Sequence, residues 1–259
     1  MIKLKTADEI ASLKEGGKRL ADILATLAGE VAPGVTTASI NERAHTLIGE
    51  HGGTPAFLKY QPAGAPRGYP GSICVSINDA IVHGIPNETE YALAEGDIVT
   101  LDAGLVYDGL ITDSAVTVGV GSIDESTADL LRVTREALEL GIQAAQPGAT
   151  TGDIGSAIES FVRPHGYALS RGLAGHGVGY EVHEDPFVPN TGTPGHGERL
   201  EPGLVIAIEP MLSLGSEEIT TDADGFTIRT ADGSLSAHFE HTIAITEEGP
   251  EILTQLSSA

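Results

Sequence analysis

Two aspartates eleven residues apart, Asp102 and Asp113 in LDAGLVYDGLITDS, flank an Asp108-Gly109 turn signal. A two-residue type I′ turn at that dipeptide pairs Tyr107 with Leu110, which sets Gly104 opposite Asp113 and Asp102 opposite Ala115. The two carboxylates are then diagonal neighbours on one face, roughly 7 to 8 Å apart at Cα. At that spacing two ionised carboxylates repel each other unless a cation lies between them, and Gly104 is expected to leave one room. A hairpin carrying two solvated acids is the plainer alternative, so further ligands must decide.

Those ligands are sought downstream. GHGVGYEVHEDP carries His176 and His183 seven apart among glycines. The run LVIAIEP ends in Glu209, on the same face as Val205 and Ala207, with a proline next. Glu240 in AHFEHTIAIT lies in a strand that otherwise reads as half-buried. A buried carboxylate needs a partner, and 14 Lys and Arg against 37 Asp and Glu leave few cationic side chains to serve. Asp102, Asp113, His176, Glu209 and Glu240 together make a set able to neutralise two divalent ions about 3.5 to 4 Å apart. Such a pair acidifies a bridging water and holds a carbonyl for attack. GHGVG lacks the strand and helix context of a nucleotide loop, and the second GHG, around His196, reads as a loop turn.

The elements that must position these groups follow from periodicity. Ile10, Leu13, Leu20, Leu24 and Leu27 recur at helical spacing near the start, broken by charges, as in an amphipathic helix and unlike a signal peptide. PGVTTASINERAHTLIGEHG at 33–52 returns as PGATTGDIGSAIESFVRPHG at 147–166, offset by 114 without gaps. Each copy reads as a turn, a threonine-led helix and a closing His-Gly, which points to a duplicated unit and one pseudo-symmetric domain. Strands are expected in GSICVSIN, DIVTLDAGLVYDG and LITDSAVTVGV, then after a helix at about 126–146 in LVIAIEPML, GFTIRTADG and AHFEHTIAITEEG. The fold class is therefore α+β, an antiparallel sheet with helices on its outer face.

Composition narrows the setting. With 259 residues and 41% hydrophobic content the chain can bury a core, and its single cysteine, Cys74, excludes an intrachain disulfide or a cysteine-rich zinc knuckle. A net charge of −23 argues against nucleic acid or an anionic membrane as partner. No apolar run approaches a membrane span. A cytoplasmic location is expected.

In order and spacing, YPGSICVSINDAIVHGIP, the Asp102/Asp113 hairpin, GHGVGYEVHEDP, IEPM and FEHT resemble the type I methionine aminopeptidases. That family shares the pita-bread fold with prolidase, aminopeptidase P and creatinase. The resemblance implies a pseudo-two-fold pita-bread fold with a curved sheet. It also implies one catalytic domain over 1–259, built of halves at about 1–120 and 121–259, with no N-terminal extension. It further implies that Asp113 and Glu240 bridge two metals (Co, Mn, Fe or Zn), that Asp102 completes one shell, and that His176 with Glu209 completes the other. Glu209 would shuttle the proton of a metal-bridged hydroxide attacking the first peptide bond. His83 would contact substrate near the scissile amide and His183 would stabilise the carbonyl oxygen. Tyr69, Cys74 and Phe226 would line the methionine pocket. Three positions depart from familiar bacterial members: Pro66 where a second tyrosine sits, Val182 for a phenylalanine and Phe226 for a tryptophan. The implied activity is removal of the initiator methionine from nascent chains with a small second residue. The protein would act as a monomer, meeting the ribosome through the domain surface if at all. An Xaa-Pro hydrolase on the same fold is the nearest rival, and a non-catalytic binding protein that keeps the fold is another.

Overall fold

In the computed structural model, which describes residues 2–62, 64–65 and 67–255, helix α1 (Ala7–Glu30) starts at a reciprocal cap. The Thr6 hydroxyl accepts from the Glu9 backbone N–H, and the Glu9 carboxylate accepts from the Thr6 N–H. Its leucines at 13, 20, 24 and 27 are buried, and the helix packs on the strands Ile98–Tyr107 and Leu110–Gly119. Gly16 eases this docking, since a Cβ there would lie 3.2 Å from Tyr107 Cβ, and Gly17 admits the C-terminal segment, since a Cβ there would lie 2.3 Å from the Leu253 carbonyl oxygen.

The 114-residue offset recurs in the geometry. Helix α2 (Thr37–Glu50) begins after Thr36 and helix α4 (Thr151–Val162) after Thr150. The turns before them place Gly34 and Gly148 at φ 89° and 88°. Gly52 and Gly166 reverse the chain beyond them at φ 74° and 79°. The copies differ at their ends, for Pro164 cannot donate a helical hydrogen bond and the second helix tightens into a 3₁₀ turn, Arg163–His165. Helix α3 (Glu125–Ala144) is capped by Asp124, whose carboxylate accepts from the Thr127 N–H.

The central sheet has nine strands, antiparallel at every pairing. Its long hairpin has the register that the turn chemistry predicts: Tyr107 opposite Leu110, Gly104 opposite Asp113 and Asp102 opposite Ala115. Asp108 and Gly109 at φ 51° and 77° have the positive angles of a type I′ turn. Leu101, Ala103 and Leu105 point toward α1 and α2 in one buried cluster, so alternation sends Asp102 and Gly104 to the opposite face. Cys74 pairs with Asp102, and Ala115 pairs with Glu240, which gives one line of residues across four strands.

Two expected strands are each divided. LVIAIEPML splits into Val205–Ile208 and Met211–Ser213, and AHFEHTIAITEEG into Ser236–His238 and Glu240–Thr246. They break side by side. Ile208 pairs with His241 in the nine-stranded sheet, whereas Met211 pairs with His238 in a separate three-stranded one. Pro210, with no N–H for the ladder, stands at the break, and Glu209 and Glu240 flank it.

The N-terminal segment secures one further loop. Lys5 donates its backbone N–H to the Gly203 carbonyl at 2.7 Å, and its ammonium lies 2.7 Å from Glu184 Oε2 with both side chains almost fully buried. Glu184 Oε1 accepts from the backbone N–H groups of Tyr180 and Glu181, fixing the turn that ends at His183. Lys5→Met leaves a buried carboxylate without its cation. The unfolding free energy from urea denaturation should fall by about 3 kcal/mol or more, and adding Glu184→Gln should recover part of that loss.

Candidate metal centre and active-site cavity

One cavity of about 280 Å³ collects every residue singled out for chemistry: Asp102, Asp113, His176, Glu209 and Glu240 with His83, His183, Tyr69, Cys74 and Phe226. Sheet register accounts for three of the acids. Asp102 and Glu240 lie on either side of Ala115, and Asp113 lies two residues before that alanine, so all three project from one face. Glu209 enters where the chain leaves the sheet, and His176 comes from the strand Ala174–Gly177. His196 sits in an exposed loop and does not line the cavity.

The acids are buried, and among the described residues no Lys or Arg lines the cavity. Burial and mutual repulsion therefore push their pKa values up. Asp102 is raised to about 7, chiefly by desolvation. Asp113, Glu209 and Glu240 are driven well above the usual carboxylate range, first by burial and then by neighbouring charge, that of Asp102 on Asp113 and that of Asp113 foremost on both glutamates. Asp113 Oδ1 has no hydrogen-bond partner. The imidazoles shift the other way: burial lowers His176 to about 3 and His83 to about 4, and also lowers His183, so all three are neutral near pH 7.

These donors suit a divalent cation. Ligand atoms of Asp113, His176 and Glu240 lie within 4.8 Å of one another. His176 Nδ1 is 2.9 Å from the Gly177 carbonyl, an acceptor, so Nδ1 carries the proton and the Nε2 lone pair is free. That Nε2 is 3.4 Å from Glu209 Oε1. Clustered carboxylates with an orphaned oxygen and a bare imidazole nitrogen are an oxygen-rich site whose charge a cation would balance.

The other end of the cavity is apolar. Phe57, Tyr69, Cys74, Val182 and Phe226 form one buried cluster, with the Tyr69 and Phe226 rings edge to face at 5.4 Å. The Tyr69 hydroxyl donates to the Gly84 carbonyl at 2.7 Å, and burial keeps the Cys74 thiol protonated. The room expected beside Gly104 for a cation is instead taken by protein: a Cβ there would lie 2.7 Å from the Phe57 ring and 2.8 Å from Ala56 Cβ. The absent side chain admits the apolar wall, and the acids converge without it. Pro66, read as replacing a second tyrosine, lies outside the described residues. A second tyrosine does line the cavity, namely Tyr60. Its hydroxyl lies 2.9 Å from His183 Nδ1, and burial raises its pKa and keeps it protonated. A phenol can donate to that nitrogen or accept from it, and donation would leave the ring's own proton on Nε2. His83 is held at φ 60°, a left-handed conformation that a non-glycine side chain adopts at a cost.

Tyr60, Phe57 and His238 also line the cavity, and none of them is among the residues that the sequence singles out for chemistry. The first two lie in irregular chain before the first long strand. His238 stands two residues before Glu240, and period-two alternation was the available signal.

The chain is similar to known proteins over nearly its whole length. The sequence model of metallopeptidase family M24 matches residues 11–247. The methionine aminopeptidase of Aquifex aeolicus is 44% identical over 257 residues, spanning 98% of this chain and 99% of that protein. A crystal structure of methionine aminopeptidase from Thermotoga maritima superposes with a TM-score of 0.92 at 44% identity, covering 98% of this chain and 100% of that one. Prolidase from Pyrococcus furiosus, at 22% identity with a TM-score of 0.76 over 98% of this chain and 66% of that one, shares the fold.

The electrostatics make a pH prediction. Between about pH 4 and 6.5 the lowered histidines make the unfolded chain bind more protons, while the raised carboxylates make the folded chain bind more, and the two oppose each other. Above about pH 6.5 the histidines' opposing share fades, while the buried carboxylates, joined by the Cys74 thiol, still hold protons only in the folded state, so stability falls as pH rises. Chelator-treated protein should show a lower urea midpoint at pH 8.5 than at pH 6.5, and Mn²⁺ or Co²⁺ should abolish that drop. A midpoint that rises over this interval without metal would contradict it.

Proposed function

The chain belongs to metallopeptidase family M24, and on that premise we propose that it removes the initiator methionine from nascent proteins with a small second residue, in a metal-dependent hydrolysis. The observation that carries this reading is the junction, in one small cavity, of an acidic end with neutral imidazoles and an apolar end lined by Tyr69, Cys74 and Phe226. An unbranched thioether suits such a lining. Likeness to prolidase extends to the fold alone.

Each side chain has a role in this reading. Asp102, Asp113, His176, Glu209 and Glu240 would hold two divalent ions, Co, Mn, Fe or Zn. When bound, such ions polarise the scissile carbonyl and acidify water enough to furnish a nucleophile near neutral pH. Glu209, ionised once cations balance the neighbouring acids, accepts a proton from the attacking water and returns it to the leaving amine. His183, oriented by the Tyr60 hydroxyl, donates from Nε2 to the carbonyl oxygen as negative charge grows there. His83 contacts the substrate beside the scissile amide, and the methionine side chain enters the apolar end.

The same reading treats residues 1–259 as one catalytic domain of two related halves, acting as a cytoplasmic monomer on chains emerging from the ribosome. The matched helix caps 114 residues apart support the halves. Among the described residues no helix is long and apolar enough to cross a membrane.

Metal-stripped protein should release methionine from Met-Ala-Ser only after Mn, Co, Fe or Zn is restored, and should leave Xaa-Pro peptides intact. Proline-directed cleavage would move the chain to the prolidase side of the family, and inertness with every metal would favour a binding protein. Glu209→Gln should keep the fold, checked by circular dichroism, and lower kcat by about 10²- to 10⁴-fold. Near-normal turnover by that variant would remove Glu209 from the proton path.

A further inference from the structure

Among the described residues, His238 is the one polar side chain lining the cavity that the proposed reaction leaves unused. It is 1% exposed, and neither ring nitrogen has a hydrogen-bond partner. Its backbone is nonetheless pinned on both sides by one hydroxyl: Thr117 Oγ1 accepts from the His238 N–H at 2.9 Å and donates to its carbonyl at 2.7 Å. Thr100 Oγ1, 2.8 Å from Thr117 Oγ1, supplies the donor that this arrangement requires. The ring is thus held in the cavity wall without a mate, an unfavourable state for a buried imidazole unless something absent from the polypeptide satisfies it.

The distances indicate what that is. His238 Nε2 lies 3.5 Å from Glu209 Oε2 and 3.8 Å from Glu240 Oε2. These are too long and too evenly divided for a hydrogen bond. Two donor atoms bound to one ion at about 2.0 to 2.2 Å, with an angle near 90° to 110°, stand about 3.0 to 3.5 Å apart. His176 Nε2 is at the same spacing, 3.4 Å, from the other oxygen of Glu209. Glu209 therefore has one imidazole nitrogen against each carboxylate oxygen, one from the strand Ala174–Gly177 and one from the strand Ser236–His238.

We propose that His238 is a metal ligand, a second imidazole presented to the centre alongside His176, which rests on the reading of this cavity as a divalent metal site. The donor set becomes four carboxylates and two imidazoles. Imidazole suits Zn and Fe better than Mn, so the added nitrogen shifts preference toward the softer ions.

X-ray absorption on wild-type protein loaded with one equivalent of Zn²⁺ tests this directly, because imidazole rings give a countable scattering signature. Two imidazoles per zinc are expected in the wild type and one in His238→Gln. Titration calorimetry should show Zn²⁺ affinity falling at least tenfold in that variant, with a smaller change for Mn²⁺. A single imidazole in the wild type overturns the assignment whether or not the variant folds. Equal Zn²⁺ affinities in a variant whose circular dichroism matches wild type do so as well. A wild-type chain that takes up no divalent ion would instead overturn the metallopeptidase reading of the cavity.

Discussion

Four carboxylates buried in one cavity with no Lys or Arg beside them are the constraint on which the other features turn. Left to themselves these groups retain protons, and a chain burying them gains nothing in stability from doing so. Their convergence costs free energy that the apolar layers on the far face of the sheet must offset. The division is made strand by strand: Leu101, Ala103 and Leu105 pack under α1 and α2, while Asp102 turns to the cavity. Ile206, Ile208, Ile243 and Ile245 pack with residues of α3 and α4 in the same way. Helices on one face and acids on the other follow from one alternation.

How much of this was legible in the sequence depends on whether a local rule set the geometry. The Asp102/Asp113 hairpin was readable because an Asp-Gly turn fixes the pairing, and pairing fixes the face. The second pair of acids was legible only as out of place in apolar runs. Their strands were read as continuous because the apolar pattern runs on through both breaks, and Pro210 was the one sign that pairing must stop there. Tyr60 carried no signal at all, since irregular chain has no period from which a direction can be inferred. His238 did carry one, its spacing from Glu240, but a lone histidine before a phenylalanine is outweighed by the FEHT run that follows.

The internal repeat shows the same limit from another side. What returns after 114 residues is capping and turn chemistry: a Pro-Gly turn, a threonine N-cap and a left-handed glycine beyond the helix. These act over a few residues, so they keep their spacing. The candidate ligands do not repeat. Asp102 and Asp113 share one hairpin, whereas Glu209 and Glu240 come from strands separated by the whole of Met211–Phe239. No offset along the chain could have paired them, because what joins them is the antiparallel register of Ile208 with His241.

The loop that carries His183 shows why the periphery of the cavity matters as much as its floor. Lys5 and Glu184 hold the loop from below through a buried ion pair, and the Tyr60 hydroxyl meets His183 Nδ1 from the side. Neither contact involves the four cavity acids, yet one fixes the turn that leads into His183 and the other holds the ring at Nδ1, which leaves Nε2 as its free nitrogen. A donor fixed before substrate arrives has little reorganisation left when charge develops. A buried ion pair adds little net stability over an apolar substitute. Its better explanation here is orientation: Glu184 takes two backbone N–H groups on one oxygen and Lys5 on the other, which leaves the turn before His183 one conformation to adopt.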